Sequence, residues 1–458
     1  MIEYKINDKN LSASQFLVFV NQVWKGNYDL EKTSNALSKT LNVTAYDKDR
    51  LVGCLRILTD GYYFGTITEL LVLPEYQKRG IGSKLLELAK ENTPTMLYFG
   101  SQKGIEKFYE KNGCTVLYGR RAEKIDSGKK TVTLSNGQVI SYDKLCVCTG
   151  SSPFVPPFEG LDTVENKSGF MTLDDALYIE KQVTEESRVL IVGAGLIGLK
   201  CAEGICQKAK SVTVRDLASR VLSSILDDKC AAFMQEKLEQ HRVSFLLGDT
   251  AVKFDKNTAF MKSGKQVEFD LLVLAVGVRP NTALVKEAGG NIGRGITGDS
   301  RSATSIPDVY AAGDCTETSD VSSGQTKIMA LLPNAYMQGK AAGLNMAGKD
   351  EKFDNAIPMN SIGFFGLHAM TAGSYFDESQ GGEMFEISTE NSIKRLFTKD
   401  GFLTGFIIIG GNERAGIYTN MIRNRIPLCE VDFESMKKNP NLFAFGKEYC
   451  GKTLGGVI

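Results

Sequence analysis

The sequence predicts an α/β chain of about three domains, and three observations carry that prediction. Apolar strands run into glycine turns that open amphipathic helices at two separate places, residues 67–90 and 188–214. From Thr115 onward, short β-rich runs punctuated by turn residues take over. The length of 458 residues suits about three domains at the usual ~100–200 residues each.

Composition narrows the class. Lys+Arg and Asp+Glu both number 54, so no net charge draws the chain to nucleic acid or to a membrane surface. The first residues lack the apolar core of a signal peptide, and no apolar run approaches the ~18 residues of a spanning helix, so a cytoplasmic location is expected. Ten cysteines in so long a chain suggest reduced thiols rather than a disulfide framework. The two histidines, His241 and His368, argue against histidine-rich metal sites, and no metal is expected. Glycine, at 46 residues, exceeds the average share of about 7% and fits several tight nucleotide-binding turns.

In chain order, Ser12 is placed to cap a helix through Phe16 and Trp24. A short helix over 37–41 and a strand over 42–46 follow. The strand 67–73 then meets Pro74, and Gln77-Lys78-Arg79-Gly80-Ile81-Gly82 opens a helix from Ser83. Glycines before a helix let the backbone approach a ligand, and the free N–H groups of the first turn attract an anion. Lys78 and Arg79 add charge beside it.

This stretch resembles the GCN5-related N-acetyltransferase superfamily, whose signature turn after the fourth strand stands here as Gln77–Gly82. The resemblance spans residues 1–114 and extends to strands at 51–58 and 96–100 and a helix over 105–113. It implies acetyl-CoA bound by Leu71, Val72, Leu73, Gln77, Lys78, Arg79, Gly80, Ile81, Gly82 and Ser83. Strand N–H groups around Leu71 and Leu73 would polarise the thioester. Glu69 would accept the proton of an amine substrate directly or through water, the alternative being a solvated strand residue. Tyr109 would protonate the leaving thiolate. Trp24 and Tyr28 would border the acceptor cleft.

The second strand–turn–helix unit is a dinucleotide-binding pattern. The strand 188–192 leads into Gly193-Ala-Gly195-Leu196-Ile197-Gly198, a helix follows, and Asp216 ends the next strand. The glycines allow a tight turn, a close pyrophosphate and close helix–strand packing, and the carboxylate holds the ribose of NAD. Arg215 suits an NADP phosphate, but the adjacent acid repels one, so NADH is expected. A second glycine pattern, Gly293 to Gly298, lacks a strand before it and a helix after it and reads as a loop. Cys201 and Cys206, five apart in a helix, point about 140° away from each other. Cys146 and Cys148 on a strand are likewise expected not to pair, so no redox-active disulfide is expected.

Residues 115–458 resemble the two-dinucleotide flavoproteins of the pyridine-nucleotide oxidoreductase family, in particular members like NADH:rubredoxin reductase and nitrite reductase. The carriers are Cys148-Thr149-Gly150, the 193–198 fingerprint, the run 274–281 with Gly277, and residues 304–315 with Gly313 and Asp314. The resemblance implies FAD at Thr149, Gly150, Gly313 and Asp314, and NAD at Gly193, Gly195, Leu196, Ile197, Gly198, Asp216 and Gly277. It implies an oxidoreductase domain over 115–355, with the NAD-binding part at about 186–275, and a dimerisation-type domain over 356–458. The family's opening strand and Gly-x-Gly-x-x-Gly turn for FAD are missing. The chain therefore reads as a junction of two incomplete domains, with FAD held weakly or substoichiometrically.

The function these readings imply is a fusion of an acetyl-CoA-dependent N-acetyltransferase with an NAD(P)H-dependent flavin oxidoreductase. A small-molecule amine, a small electron-carrier protein and a second copy of the chain are the implied partners. The alternatives are an acetyltransferase on a degenerate oxidoreductase scaffold, and a non-catalytic NADH or CoA binder.

Overall fold

The computed structural model describes residues 2–59, 64–93, 96–98, 115, 117–411 and 414–446. The chain divides into two compact units, residues 1–118 and 119–458.

The first unit is a five-stranded sheet in the order β1-β2-β3-β4-β5. The strands are Ile2–Lys5 (β1), Leu41–Asp47 (β2), Arg50–Thr59 (β3), Phe64–Val72 (β4) and Met96–Tyr98 (β5). All neighbours are antiparallel except β4 and β5. Helix α1, Ala13–Val23, starts at Ser12, whose hydroxyl and Gln15 form a capping box. Helix α2 runs from Leu30 to Ser38 with Asp29 as its cap. It thus begins seven residues before the helix expected at 37–41 (37 − 30 = 7). Residues 31–36 are almost wholly polar, so no apolar stripe announces that helix, whereas the Asp29 cap and the Thr33 hydroxyl bond to the Asp29 carbonyl hold its first turn. Helix α3, Ile81–Asn92, buries Ile81, Leu85 and Ala89 against Val43, Leu55 and Leu73 of the sheet. The helix expected over 105–113, with Tyr109, lies outside the described residues.

The second unit is centred on five parallel strands, in the order Lys167–Ser168, Leu271–Leu274, Arg188–Val192, Ser211–Asp216 and Val243–Leu247. Strands covered on both faces read as unbroken apolar runs, and Val189 to Val192 are all buried. Helices Leu196–Ile205 and Asp228–Glu239 bury Leu199, Ala202, Ala231 and Met234 in the same core. A five-stranded antiparallel sheet follows, in the order Met359–Phe364, Leu367–Gly373, Phe402–Ile409, Ile393–Lys399 and Gly382–Ser388. Phe364, Ala369, Ile407 and Ile409 join the core of the parallel sheet. The alternate residues Phe406 and Ile408 pack under helix Ala415–Arg423, where the rings of Phe406 and Tyr418 lie 5.7 Å apart. Period-2 alternation therefore sends one strand's side chains into two cores.

Elsewhere in this unit, strand Leu145–Val147 pairs in parallel with Val309–Ala311, and among the described residues that sheet has only these two strands. The Gly293–Gly298 segment is irregular, with the N–H groups of Arg294 and Gly295 donating to the Glu317 carboxylate.

Asp320, wholly buried, joins the segment before strand Thr326–Ile328 to the C-terminal sheet. Its carboxylate accepts from Ser322 at 2.6 Å, Ser323 at 2.7 Å, Ser374 at 3.1 Å and Lys327 at 2.8 Å. Burial pushes its pKa up, but Lys327 and the serine donors outweigh burial and hold it below the usual carboxylate value. Its contribution to stability is therefore present above the unfolded pKa of about 3.9 and is lost as pH falls through the folded value. Replacing Asp320 by Ala strands Lys327 and three hydroxyls, and we expect a loss of about 3 kcal/mol. Urea unfolding at neutral pH checks this as a lower midpoint at unchanged slope; an unshifted midpoint would show that the network contributes nothing.

Candidate functional sites

The first unit carries its candidate site at the end of β4. Arg56 faces Glu69 in the register that runs from Gly53 and Val72, just before a register shift at Ile57. Glu69 Oε1 accepts from Arg56 Nη1 at 2.6 Å, and both side chains are only 12% exposed. Glu69 is therefore not the solvated strand residue weighed above; Arg56, which also lies over Phe16, occupies one of its oxygens. The Leu73 N–H donates to Val52 of β3 at 2.9 Å. That use removes Leu73 from the strand donors expected to polarise a thioester. Successive N–H groups alternate between the two edges of a strand, so Leu71 shares the β3 side and Val72 turns to the other. Leu71 and Leu73 are buried core residues.

Beyond β4, Gln77 donates its side-chain amide to the Val72 carbonyl at 3.0 Å. Lys78 and Gly80 both take left-handed backbone, φ 62° and 82°. Gly80 caps α3 without a side-chain hydrogen bond, and the first acceptor it supplies is its carbonyl to Lys84. The N–H groups of Ile81, Gly82 and Ser83 thus begin the helix without intrahelical acceptors. Gly82 faces Val72, where a Cβ would make only ordinary van der Waals contact. Arg79 lies over the Tyr76 ring at 5.0 Å, and both Lys78 and Arg79 are exposed. The turn sets backbone N–H groups beside two cations, an arrangement that suits an anion.

In the second unit, Gly193 sits at the end of Arg188–Val192 with φ 118°. A Cβ there would run into the Ala275 carbonyl, and one at Gly198 would run into the Gly193 carbonyl. Both positions therefore exclude any side chain, which fits the close turn and close helix that a dinucleotide needs. Gly195 caps the helix with no side-chain bond, leaving the first-turn N–H groups of Leu196, Ile197 and Gly198 without intrahelical acceptors. Asp216 binds the N–H groups of Ala194 at 2.7 Å and Ala218 at 2.8 Å. Arg215 points elsewhere: it is buried, donates to Thr250 Oγ1 at 3.0 Å, and lies over the Phe158 ring. Burial lowers its pKa. Gly277, φ 95°, offers its carbonyl to the Phe154 N–H. These residues fit NAD.

The flavin-side residues come together around Asn281. The Thr149 hydroxyl donates to the Asn281 carbonyl at 2.7 Å, and the Asn281 amide donates to the Thr149 carbonyl at 2.8 Å. The Asn281 N–H reaches Gly150, and Ser152 Oγ reaches the Asn281 side chain. Gly313, φ 83°, donates its N–H to Gln338 on helix Leu332–Met346 at 2.9 Å. Asp314 lies 3.5 Å from Ser151 Oγ. Asn281 and Gln338 were not singled out from sequence; Asn281 closes a family-like run, but Gln338 had no local signal. The turns fit the ribityl side of FAD. The adenosine side does not fit, because no Gly-x-Gly-x-x-Gly strand turn precedes Thr149 in this unit, and the sheet that would carry it has two described strands.

Cys146 and Cys148, expected not to pair, are both free thiols but stand close together. Cys146 and Cys148 Sγ lie 3.5 Å apart. Residues i and i+2 share a face of a strand, and the chain leaves regular pairing after Val147, so the two thiols meet. Among the described residues no group of His, Cys, Asp and Glu is arranged to hold a metal ion, and no helix is long and apolar enough to cross a membrane.

Comparison with known proteins agrees with both halves. The acetyltransferase (GNAT) domain family matches residues 8–126, and the pyridine nucleotide-disulphide oxidoreductase family matches residues 76–339, so the two matches overlap over 76–126. The epsilon subunit of NADH-dependent phenylglyoxylate dehydrogenase from Aromatoleum evansii is 30% identical over 76% of this chain and 83% of its own length. An NADH oxidase from Methanocaldococcus jannaschii is 33% identical over 60% of this chain and 66% of its own. A NAD-dependent persulfide reductase from A. fulgidus superposes with TM-score 0.65 at 26% identity, covering 71% of this chain and 66% of that one. The chain belongs to the pyridine nucleotide-disulphide oxidoreductase family and carries a GNAT acetyltransferase domain ahead of the family's NAD-binding sheet.

Proposed function

We propose that the second unit is an NADH-dependent oxidoreductase and that the first binds acetyl-CoA for transfer to an amine. The observation that carries the oxidoreductase reading is the Gly193–Gly198 turn, closed so tightly on Ala275 and on itself that no side chain fits at Gly193 or Gly198. NADH supplies a hydride there when bound. The chain's own work is to seat the pyrophosphate on the N–H groups of residues 196–198 and to present the Asp216 carboxylate to the adenosine ribose. The family uses FAD as the second redox group. The residues at Thr149–Gly150 and Gly313–Asp314 would hold its flavin side, and the missing adenosine-side turn makes that hold weak. In the acetyltransferase half, the α3 turn takes the CoA pyrophosphate. The oxygen of Glu69 not bound to Arg56 receives the amine proton, directly or through water.

Three measurements test these readings. NADH should bind more tightly than NADPH, since Arg215 is committed to Thr250 and Phe158 and cannot meet a 2′-phosphate. Asp216→Ala should weaken both nucleotides and narrow their ratio in fluorescence titration; tighter NADPH binding by the unaltered protein would remove Asp216 from the ribose. Gly80→Asp adds a negative charge, at strained backbone, to the anion cradle. Calorimetry should show acetyl-CoA binding at least about tenfold weaker, and unchanged affinity would discard the cradle. Freshly purified protein should show substoichiometric visible flavin absorbance, because several charge-assisted hydrogen bonds of about 1.5–3 kcal/mol each are missing. A full retained equivalent of FAD would show that other residues supply those contacts.

A further inference from the structure

Ten cysteines stand in the sequence, and of those described, Cys54, Cys201, Cys206, Cys230 and Cys315 are buried. Cys315 is engaged as well, its thiol donating to the Val147 carbonyl at 3.5 Å and the Ala312 carbonyl at 3.4 Å. Cys148 and Cys429 are exposed, and Cys146 is half-buried. Only Cys148 among the exposed ones has a second thiol within reach, Cys146 at 3.5 Å. The pair closes strand Leu145–Val147, where the Val147 carbonyl is anchored by the Ala312 N–H at 3.1 Å. The residue between them is therefore held while the two sulfurs remain on one side. Joining the sulfurs needs a further approach of about 1.5 Å, to the ~2.05 Å of a bond. A ring spanning one intervening residue is small, and strained disulfides are the readily reduced, exchangeable ones.

We propose that Cys146 and Cys148 form a thiol–disulfide exchange site acting on low-molecular-weight disulfides, with Cys148 as the attacking thiol and Cys146 as the resolving one. The inference is independent of the NADH and acetyl-CoA readings. The Cys148 thiolate attacks one sulfur of the disulfide RSSR; the S–S bond breaks, RS⁻ leaves and takes a proton from water, and a Cys148–S–S–R bond forms. Cys146 then loses its proton to water as its sulfur attacks Cys148 Sγ. The second RS⁻ departs and is protonated. Two electrons pass from the two protein thiols to RSSR, which leaves as two RSH, and the protein holds a Cys146–Cys148 disulfide.

The assignment of roles follows from exposure and hydrogen bonding. Cys148 is the accessible sulfur, as an attacker must be. The Cys146 thiol donates to it and the Ala312 backbone N–H adds a second donor; together they outweigh burial and bring the Cys148 pKa down to about 7. The same hydrogen bond, with burial, raises that of Cys146. A thiol titrating near ambient pH is the best attacker in exchange, and one held protonated waits for the second step.

The full chain, reduced and then exposed to excess 2-hydroxyethyl disulfide, provides the test, with remaining thiols alkylated and peptides weighed. The unaltered protein should yield a 146–148 peptide lighter by two hydrogens and free of adduct, restored by dithiothreitol. Cys148 should be consumed about tenfold faster than Cys429, the exposed reference without a partner thiol nearby in the described structure. Cys146→Ser should instead retain the hydroxyethylthio adduct on Cys148, and Cys148→Ser should leave Cys146 unmodified over the same interval. A stable adduct on Cys148 in the unaltered protein, or consumption no faster than at Cys429, would overturn the proposal. Both of those outcomes are read from the unaltered chain, so they stand even where a serine variant folds poorly.

Discussion

The carboxylate of Asp216 binds the N–H of Ala194 inside the glycine turn and the N–H of Ala218 just past its own strand. Much of the second unit is arranged around that clamp. Gly193 donates its N–H to the Arg215 carbonyl, so the turn leaves its strand already fastened to the neighbouring one. Any side chain at Gly193 or Gly198 would meet a carbonyl oxygen, and that closeness lets helix Leu196–Ile205 start directly over the sheet. An orphan carboxylate so placed would be costly to bury; satisfied by two backbone donors, it fixes the strand end that a nucleotide ribose would meet. Arg215, one residue earlier, turns to the opposite face by strand alternation and is spent on Thr250 and Phe158.

The flavin-side turns are held by a different device. No wide sheet stands behind them among the described residues. Asn281, reaching over from the end of the short strand Val278–Pro280, binds Thr149 and Gly150 with both backbone and side chain. Gln338, from helix Leu332–Met346, receives the N–H of Gly313 and the hydroxyl of Thr316. These long-range polar contacts keep two turns in place that a full parallel sheet would otherwise position. They also leave Cys148 exposed beside Cys146.

The first unit shows one charge pairing that decides more than the motif around it. Arg56 and Glu69 meet across β3 and β4 in the register that runs from Gly53 and Val72, and the register shifts just beyond them, where Thr68 is passed over. The bulge is invisible in the sequence, since Thr68 looks like any strand residue. The turn at Gln77–Ser83, in contrast, is local, and its left-handed residues and uncapped helix start follow from glycine and from the chain around Pro74.

The sequence by itself determined what depends on neighbours along the chain. It determined the Ser12 cap, the two strand–glycine–helix units, the acid at Asp216 and the absence of an FAD fingerprint beside the one for NAD, because propensity, capping and turn geometry act over a few residues. The tertiary structure decided what depends on distant residues meeting. Helix α2 was hidden behind a polar stretch and settled by its Asp29 cap and by Leu37 entering the core. Leu73 was taken out of the donor set by Val52, Glu69 was paired with Arg56, and Arg215 was turned away from its neighbour's site. Cys146 and Cys148, apart in the sequence reading, were brought to 3.5 Å because a strand places i and i+2 on one face and this strand ends between them.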